Sequence, residues 1–304
     1  MIKVINKEVL SSDRIHQLKG KIYIPEGPAR GLFHVVHGMT EYLDRYDGFM
    51  RAIAEQGYIV FGYDHLGHGH TALNDSELGF IAHENGWEKL IDDVFVFGNV
   101  IKKAMGDHLP FILMGHSMGS FIVRMTAAKY HHWDKLIVMG TAGPNPAAGA
   151  GIFLAGVIKK LKGERHISPF IYKMAFGAYN KRFESENDPY AWLSVNRENR
   201  DKYRADKYCT FMFTVSAMQD LIRLNKGCNE KDWFSSIDKE KPILLVSGSE
   251  DPVGEYGAGV KKVYDSLVAA GANVQMKLYR DCRHEILNDI SRDEVIADIK
   301  AFIG

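Results

Sequence analysis

The feature that most constrains the fold is an alternation of short apolar runs with longer segments of helical period between residues 30 and 143. β-Branched and aromatic residues, which are typical of strands, dominate the runs GLFHVV, YIVFGYD, PFILMGH and KLIVMGTAG. Apolar residues at helical spacing and a terminal glycine mark RYDGFMRAIAEQG and NGWEKLIDDVFVFGNVIKKAMG as helices. Strands that alternate with helices form parallel sheets, so the sequence predicts an α/β fold.

This alternation stops after Gly143 and returns near residue 239. The later part contains the strand-like PILLVSGSE and VQMKLYRD, the helical YGAGVKKVYDSLVAAG and a final helix from about Ser291 to Ile303. We therefore predict one core formed by residues 1–143 and 239–304. Residues 144–238 are predicted to be an inserted, mainly helical cap segment at the carboxyl edge of the sheet, where ligands bind in open α/β folds.

The stretch FILMGHSMGS places Ser117 on a turn between a predicted strand and a predicted helix. Gly115 and Gly119 flank it in the pattern G-x-S-x-G. A serine on such a turn has a strained backbone, and residues without side chains on either side avoid clashes with the neighbouring strand and helix. Its hydroxyl then projects into a cleft. The pattern predicts a nucleophile at Ser117, the alternative being an ordinary glycine-rich turn.

A serine nucleophile needs a base, and an imidazole base needs a carboxylate to fix its tautomer. On a sheet of this kind the acid and then the histidine follow the serine, each at the end of a later strand. PILLVSGSEDPVG ends with Glu250 and Asp251, and VQMKLYRDCRHEIL ends with His284. We predict His284 as the base and Asp251 as the acid, because a proline follows Asp251 in a loop signal. Glu250 is the fallback, and a turn at Asp251 with a helix cap at His284 is the structural alternative.

The reaction also requires hydrogen-bond donors for the oxyanion of a tetrahedral intermediate. The backbone N–H of Met118, directly after the nucleophile, is one predicted donor. The second is predicted in the loop VVHGMTEY, where Met39 is the candidate and Gly38 lets the backbone turn toward the cleft.

Five motifs, in the order HGMTEYLDRY, YDHLGHGHT, GHSMGS, SGSEDPVG and RDCRHEIL, resemble the α/β-hydrolase monoacylglycerol lipases and lysophospholipases, often labelled serine aminopeptidase-like hydrolases. The resemblance spans most of the chain and aligns Asp251, not Glu250, with the acid. It implies the α/β-hydrolase fold, with a mostly parallel eight-stranded sheet and a cap inserted after the sixth strand. It also implies a triad and two oxyanion donors, namely Ser117, Asp251, His284, Met39 and Met118. The cap segment matches least.

The segment DHLGHGH is dense enough in Asp64, His65, His68 and His70 to suggest a metal site. Its order differs from the H-x-H-x-D-H of di-zinc hydrolases, and ligation would need further residues from other loops. We predict no metal and no cofactor.

Four other histidines receive structural interpretations. His37 is predicted to pack or hydrogen-bond beneath the oxyanion loop, and His116 to be structural within the nucleophile turn. At the end of the following helix we predict two solvent-facing residues, His131 and His132.

The apolar stretch AAGAGIFLAGVI, residues 147–158, precedes the basic KKLKGERH. This pattern suits transient insertion into an anionic membrane surface, although it is too short to span one. The alternative, which we favour, is a cap helix that lines an acyl pocket or packs on the core. Three stretches of the cap segment are predicted to supply the acyl-binding surface, namely IFLAGVI, FIYKMAF and FMFTVSAM.

The charge and the cysteine content of the chain indicate which binding partners and which cellular compartment to expect. Lys and Arg balance Asp and Glu at 38 each, so a nucleic-acid partner is not predicted. The odd number of cysteines, Cys209, Cys228 and Cys282, has no C-x-x-C spacing, which disfavours disulfides and structural zinc. The N-terminal residues lack the apolar region of a signal peptide. A cytoplasmic protein is the expectation.

Together these features predict a serine hydrolase that cleaves small-molecule acyl esters through an acyl-enzyme, as a monoacylglycerol lipase or lysophospholipase does. The alternatives are a general carboxylesterase, a peptidase that releases N-terminal residues, and a ligand-binding receptor without turnover. The complete predicted triad argues against the receptor.

Overall fold

The computed structural model describes residues 1–304. Its strands are Lys3–Leu10 (β1), Gln17–Ile24 (β2), Gly31–Val36 (β3), Tyr58–Tyr63 (β4), Phe111–His116 (β5), Lys135–Met139 (β6), Ile243–Gly248 (β7) and Val274–Tyr279 (β8). They form one eight-stranded sheet in the order β1-β2-β4-β3-β5-β6-β7-β8. Strand β2 pairs antiparallel with both β1 and β4, and all other pairs are parallel. The predicted α/β-hydrolase fold, with a mostly parallel eight-stranded sheet, is confirmed.

Ten α-helices accompany the sheet. They are Asp47–Ala54 (α1), Gly86–Met105 (α2), Met118–Tyr130 (α3), Ala148–Lys162 (α4), Pro169–Phe176 (α5), Arg197–Ala205 (α6), Val215–Gly227 (α7), Lys231–Ser236 (α8), Ala258–Ala269 (α9) and Arg292–Ile303 (α10). Short 3-10 helices occupy Leu43–Tyr46, Asp75–Glu77, Lys181–Glu186, Ala191–Leu193 and Ile286–Asn288. None of these helices combines the length and the apolarity needed to cross a membrane.

Helices cover both faces of the sheet, which explains why its central strands are apolar without alternation. Every residue of β3, β4, β5 and β7 is buried. One face packs against α2, α3 and α9, and the other packs against α1 and α10. Successive residues of β5 alternate between the two cores, with Leu113 in the first and Met114 in the second.

Two regions lie outside the strand pattern that the sequence displays. The antiparallel strands β1 and β2 precede residue 30, and β1 is half exposed because it forms an edge of the sheet. Between β6 and β7 the chain forms five helices, α4 to α8, and no strand. The boundaries of the cap segment, residues 144–238, stay a prediction.

Candidate active site

Ser117 lies on the tight turn that joins β5 to α3. Its backbone has a φ of 54° and a ψ of −120°, a strained conformation for a residue with a side chain. A Cβ atom on Gly115 would lie 2.2 Å from the carbonyl oxygen of Gly119, and one on Gly119 would lie 2.2 Å from that of Val36. Both glycines are therefore required sterically, one by the helix and the other by the neighbouring strand.

Asp251 and His284 follow β7 and β8 and form a hydrogen-bonded pair. Oδ2 of Asp251 lies 2.9 Å from Nδ1 of His284. The carboxylate also accepts hydrogen bonds from the Ser247 hydroxyl at 3.1 Å and the Val253 N–H at 2.9 Å. Burial alone would raise the pKa of Asp251, but the charge and hydrogen bond of His284 hold this pKa below its ordinary value. An ionised carboxylate at Nδ1 fixes the tautomer that leaves Nε2 free to accept a proton.

Glu250, the alternative acid, has a different partner. Its carboxylate lies 3.2 Å from Nη1 of Arg182 at the protein surface. Of the two neighbouring carboxylates, Asp251 is the one that hydrogen-bonds His284. The geometry therefore favours Asp251 over Glu250.

Ser117 and His284 line the same cavity, together with Met39 and Met118. The His284 side chain forms its hydrogen bond with Asp251 and none with the Ser117 hydroxyl. In enzymes of this kind the bond between nucleophile and base often forms only when substrate binds.

Met118 is the first residue of α3, where a backbone N–H has no partner within the helix. The loop that contains Met39 lies directly against the nucleophile turn, because a Cβ on Gly38 would lie 3.0 Å from Cβ of Ser117.

A buried polar network beneath these residues was not predicted from the sequence. Oε1 of Glu41 accepts hydrogen bonds from the Gly38 N–H at 2.5 Å and the Tyr46 hydroxyl at 2.7 Å. It also lies 3.1 Å from Nδ1 of His116, whose Nε2 donates to the carbonyl oxygen of His284 at 3.2 Å. Glu41 and His116 therefore connect the oxyanion loop to the backbone of His284.

Glu41 and His116 stabilise each other's charged form. Burial would raise the pKa of Glu41 and lower that of His116, but the hydrogen bond and the attraction between them reverse both shifts. The pKa of Glu41 lies well below its ordinary value and that of His116 lies above it. His116 thus has a structural role in the nucleophile turn, as the sequence predicted.

The histidine-rich segment after β4 is arranged as a structural turn. The Asp64 carboxylate accepts hydrogen bonds from the backbone N–H groups of Leu43 and His70, both at 2.8 Å. Burial lowers the pKa of His65 and that of His68, the latter to about 3, so both rings are neutral. Nowhere do three His, Cys, Asp or Glu side chains converge as a metal site would require.

Of the remaining histidines, His37 hydrogen-bonds within the oxyanion loop as predicted, because its Nδ1 donates to the Gly38 carbonyl at 2.8 Å. His131 is exposed, also as predicted. The prediction that His132 faces solvent is wrong. Helix α3 ends at Tyr130, and the left-handed backbone of His131 turns the chain so that the His132 ring packs against Phe95 and Phe111.

The cavity that holds Ser117 and His284 has a volume of about 560 Å³, within the range of small-molecule sites. Aromatic and aliphatic side chains form much of its wall, namely Phe121, Tyr172, Phe176, Phe211, Met212, Leu221 and Ile222. The stretches FIYKMAF and FMFTVSAM both contribute to this wall, and their binding of an acyl chain stays a prediction.

The prediction that IFLAGVI lines the acyl site is wrong. Helix α4 packs against α7 with its small residues Ala148 and Ala155 buried, and it contributes no residue to the cavity wall. Ile152 borders a separate groove, and Phe153 and Leu161 are 74% and 76% exposed. The sequence also predicted packing on the core as the role of this helix, and α4 does pack within the fold.

Comparison with known proteins places this arrangement in a family. A family model described as serine aminopeptidase, S33, matches residues 27–291. A monoacylglycerol lipase from Mycolicibacterium smegmatis is 25% identical over 285 residues, which cover 93% of this chain and 91% of that protein. A monoglyceride lipase homolog from Monkeypox virus is 30% identical over 295 residues, which cover 93% of this chain and 92% of that protein.

A solved structure supports the same assignment. A highly thermostable carboxyl esterase from Bacillus coagulans, in complex with glycerol, has a TM-score of 0.92 and 28% identity, covering 100% of this chain and 98% of that chain. The resemblance inferred from the five motifs is confirmed, because the family model and these relatives span most of the chain. The chain therefore belongs to the serine aminopeptidase S33 family and is an ester hydrolase of the lipase type within the α/β-hydrolase superfamily.

Proposed function

We propose that the protein hydrolyses monoacylglycerols, or closely related lysolipids, through an acyl-enzyme on Ser117. The observation that carries the proposal is the apolar cavity that holds Ser117 and His284 on its wall, with Asp251 hydrogen-bonded behind the imidazole. The names of the relatives from Mycolicibacterium smegmatis and Monkeypox virus, a monoacylglycerol lipase and a monoglyceride lipase homolog, support this substrate class. Glycerol, found with the Bacillus coagulans esterase, is the alcohol that such a reaction releases.

In the proposed reaction, Nε2 of His284 takes the hydroxyl proton of Ser117 as Oγ attacks the ester carbonyl. Asp251 stabilises the resulting imidazolium, and the N–H groups of Met39 and Met118 donate to the oxyanion. His284 then returns the proton to the departing alcohol oxygen, which leaves the acyl group esterified to Ser117. A water molecule, deprotonated by His284 in the same way, releases the fatty acid and restores the serine hydroxyl.

The charges on the cavity wall favour esters over aminopeptide substrates. A peptidase that releases N-terminal residues needs a free carboxylate to bind the substrate ammonium group. The cavity wall contains three carboxylates, Glu41, Glu255 and Glu285. Each is already paired: Glu41 with His116, Glu285 with Arg45, and Glu255 with Lys262.

Acyl-chain length provides the test of the substrate class. Each methylene buried in the cavity contributes about 0.8 kcal/mol, so kcat/KM should rise about fourfold per methylene until the cavity is filled. The change Ala175→Trp places a large ring in the cavity wall, and we expect it to lower kcat/KM for long chains while short-chain esters react normally. Ile152→Ala, outside this cavity, is the matched control and should leave the chain-length profile unchanged.

The measurement is kcat/KM for monoacylglycerols from short to long chains, with lysophospholipids and aminoacyl anilides in the same panel. Equal rates for all chain lengths in both variants would contradict an acyl-binding role of the cavity. Faster turnover of aminoacyl anilides than of esters would contradict the substrate class.

We also propose that helices α4 and α5 contact an anionic lipid surface, the source of the acyl substrate. Phe153, Val157 and Leu161 lie at helical spacing on α4 and are exposed, and Phe170 and Met174 are exposed on α5. The cations in the last turn of α4, which include Lys160 and Lys162, complement an anionic surface.

This contact is tested by sedimentation with phosphatidylglycerol vesicles. The double change Phe153→Ser and Leu161→Ser removes two exposed apolar side chains and should lower vesicle binding by more than about tenfold. Val268→Ser, an exposed apolar position on core helix α9, serves as the control. Equal binding of the double variant and the unchanged protein would contradict the proposal, whereas hydrolysis of a short, water-soluble ester should be the same in all three.

A cytoplasmic location is likewise proposed. The support is that Cys209, Cys228 and Cys282 are all unpaired and buried, as expected in a reducing compartment. Cell fractionation with compartment markers tests it, and recovery of the protein outside the cytoplasmic fraction would contradict it.

A further inference from the structure

The loop that carries His284 is bonded to the cap segment on both sides of the histidine. This histidine loop, residues 282–289, follows β8 and is buried except at Asn288. Arg283, directly before His284, is only 8% exposed. An arginine buried in a loop must find partners for its charge and its donors, so its contacts identify what the loop is attached to.

Every side-chain partner of Arg283 belongs to the cap segment. Nη1 donates to the carbonyl oxygen of Ala191 at 2.6 Å and lies 3.4 Å from that of Ser194. Nη2 pairs with the carboxylate of Glu186. The guanidinium also lies over the ring of Phe183, 3.9 Å from its centroid. Arg283 therefore joins the histidine loop to two consecutive 3-10 helices of the cap segment, Lys181–Glu186 and Ala191–Leu193.

The residues that follow His284 attach to the same stretch. The Glu285 N–H donates to the carbonyl oxygen of Leu193 at 2.8 Å. The two carboxylate oxygens of Asp289 accept from the N–H of Arg283 at 2.8 Å and from that of Val195 at 3.0 Å. Residues 191–195 thus run alongside the histidine loop, and we call residues 183–195 the cap clamp.

The cap clamp also contacts the imidazole itself. The ring centroid of Trp192 lies 5.3 Å from the ring centroid of His284. The other restraint on the His284 ring is the hydrogen bond between its Nδ1 and Asp251. A hydrogen bond at one nitrogen restrains the ring plane only partly, and packing against a fixed neighbour restrains the rest. Because Arg283 binds the carbonyl of Ala191, it fixes the backbone directly before Trp192.

We propose that Arg283 is a positioning residue, which acts through the cap clamp and Trp192 to hold the His284 imidazole in the geometry that serves Ser117. This inference rests on the proposed role of His284 as the base. It makes residues 183–195 a fixed part of the active site. A misplacement of about 1 Å in a catalytic group costs about a hundredfold in rate, so the arginine has a measurable effect.

Three variants and one control separate positioning from folding. Arg283→Gln removes both the positive charge and the planar guanidinium with its several N–H donors, and Arg283→Lys keeps the charge alone. Glu186→Gln removes the charge of one partner, at the partly exposed end of the contact. The control is Arg182→Gln, which breaks an exposed ion pair between the cap segment and Glu250 on the core. All four are compared with the unchanged protein for folding, by circular dichroism and thermal unfolding, and for ester hydrolysis.

We expect kcat to fall about a hundredfold in Arg283→Gln and by a smaller factor in Arg283→Lys, with KM nearly unchanged in both, because the substrate cavity is intact. Glu186→Gln should fall in the same direction and keeps the proposal testable if Arg283→Gln fails to fold. The rate of Ser117 labelling by a fluorophosphonate should fall in parallel with kcat. In the proton NMR spectrum, the downfield resonance of the His284–Asp251 hydrogen bond should shift or broaden in the Arg283 variants and stay in place in Arg182→Gln.

The proposal is overturned if the Arg283 and Glu186 variants melt at lower temperature but keep kcat, the labelling rate and the downfield resonance of the unchanged protein. It is also overturned if Arg182→Gln has the same effect as Arg283→Gln, since any contact between cap segment and core would then suffice. Failure of the proposed function is distinguishable, because the unchanged protein and Ser117→Ala would then hydrolyse the ester equally.

Discussion

Replacing Ser117 with alanine is expected to lower kcat for ester hydrolysis by at least about a thousandfold while the protein folds normally. The strained turn puts this one hydroxyl on the cavity wall, and Asp251 and His284 contribute little once the nucleophile is gone. Stability should be retained, because the backbone of Ser117 makes the hydrogen bonds of the turn, donating to Met139 and accepting from Ser120.

The matched control is Ser120→Ala, three residues further along the same motif. Ser120 is fully buried, and its hydroxyl donates to the Ser117 carbonyl at 2.6 Å. We expect this variant to retain activity within about tenfold, since it loses one helix-terminal hydrogen bond and no reacting group. Comparable kcat in Ser117→Ala and the unchanged protein, measured on a purified monoacylglycerol, would remove Ser117 as the nucleophile.

The second large effect is expected at Asp251, where replacement by asparagine should lower kcat by about ten-thousandfold. The amide cannot stabilise an imidazolium, and its N–H₂ group favours the tautomer that protonates Nε2, the nitrogen that must accept the Ser117 proton. With the amide N–H₂ group in the position of Oδ2, the Val253 N–H still donates to the remaining oxygen, and the Ser247 hydroxyl, which donates to Oδ2 of the carboxylate, can turn to accept from the amide, so folding should survive.

Glu250→Gln is the control for this change, because Glu250 is adjacent in sequence and pairs only with exposed Arg182. We expect kcat within about twofold of the unchanged protein, since exposed ion pairs contribute little. A large loss in Glu250→Gln together with a small loss in Asp251→Asn would exchange the roles of the two carboxylates.

The sequence was informative wherever function depends on a few adjacent residues. The steric need for Gly115 and Gly119 around Ser117 follows from one turn, and the positions of Asp251 and His284 follow from the strand ends that precede them. The parallel central strands could also be predicted from the sequence, because burial on both faces of the sheet leaves uninterrupted apolar runs.

Polar contacts between residues distant in sequence could not be predicted in the same way. Glu41 lies within the motif HGMTEYLDRY, yet its partner His116 is 75 positions away. Arg283 precedes His284 directly, but its contact with Ala191 spans 92 positions. Neither partner is marked by periodicity or spacing, so only the fold reveals these pairs.

Helix α4 shows why an apolar segment does not reveal what covers it. Its sequence is rich in large apolar residues, which suggested an acyl-binding face. In the fold it is the small residues, Ala148 and Ala155, that are buried where α4 packs on α7, while Phe153 and Leu161 remain exposed. Close packing of helices selects for small side chains, whereas hydropathy patterns weight the large ones.

The proposed hydrolysis depends first on Ser117 as a nucleophile activated by His284 and Asp251. The most direct measurement is mass spectrometry of the protein after reaction with a fluorophosphonate, followed by peptide mapping. We expect one adduct per chain on Ser117, formed with loss of ester hydrolysis, and formed far more slowly in Asp251→Asn. An adduct on another residue, or continued ester hydrolysis by protein fully labelled at Ser117, would contradict the assignment of Ser117 as the nucleophile.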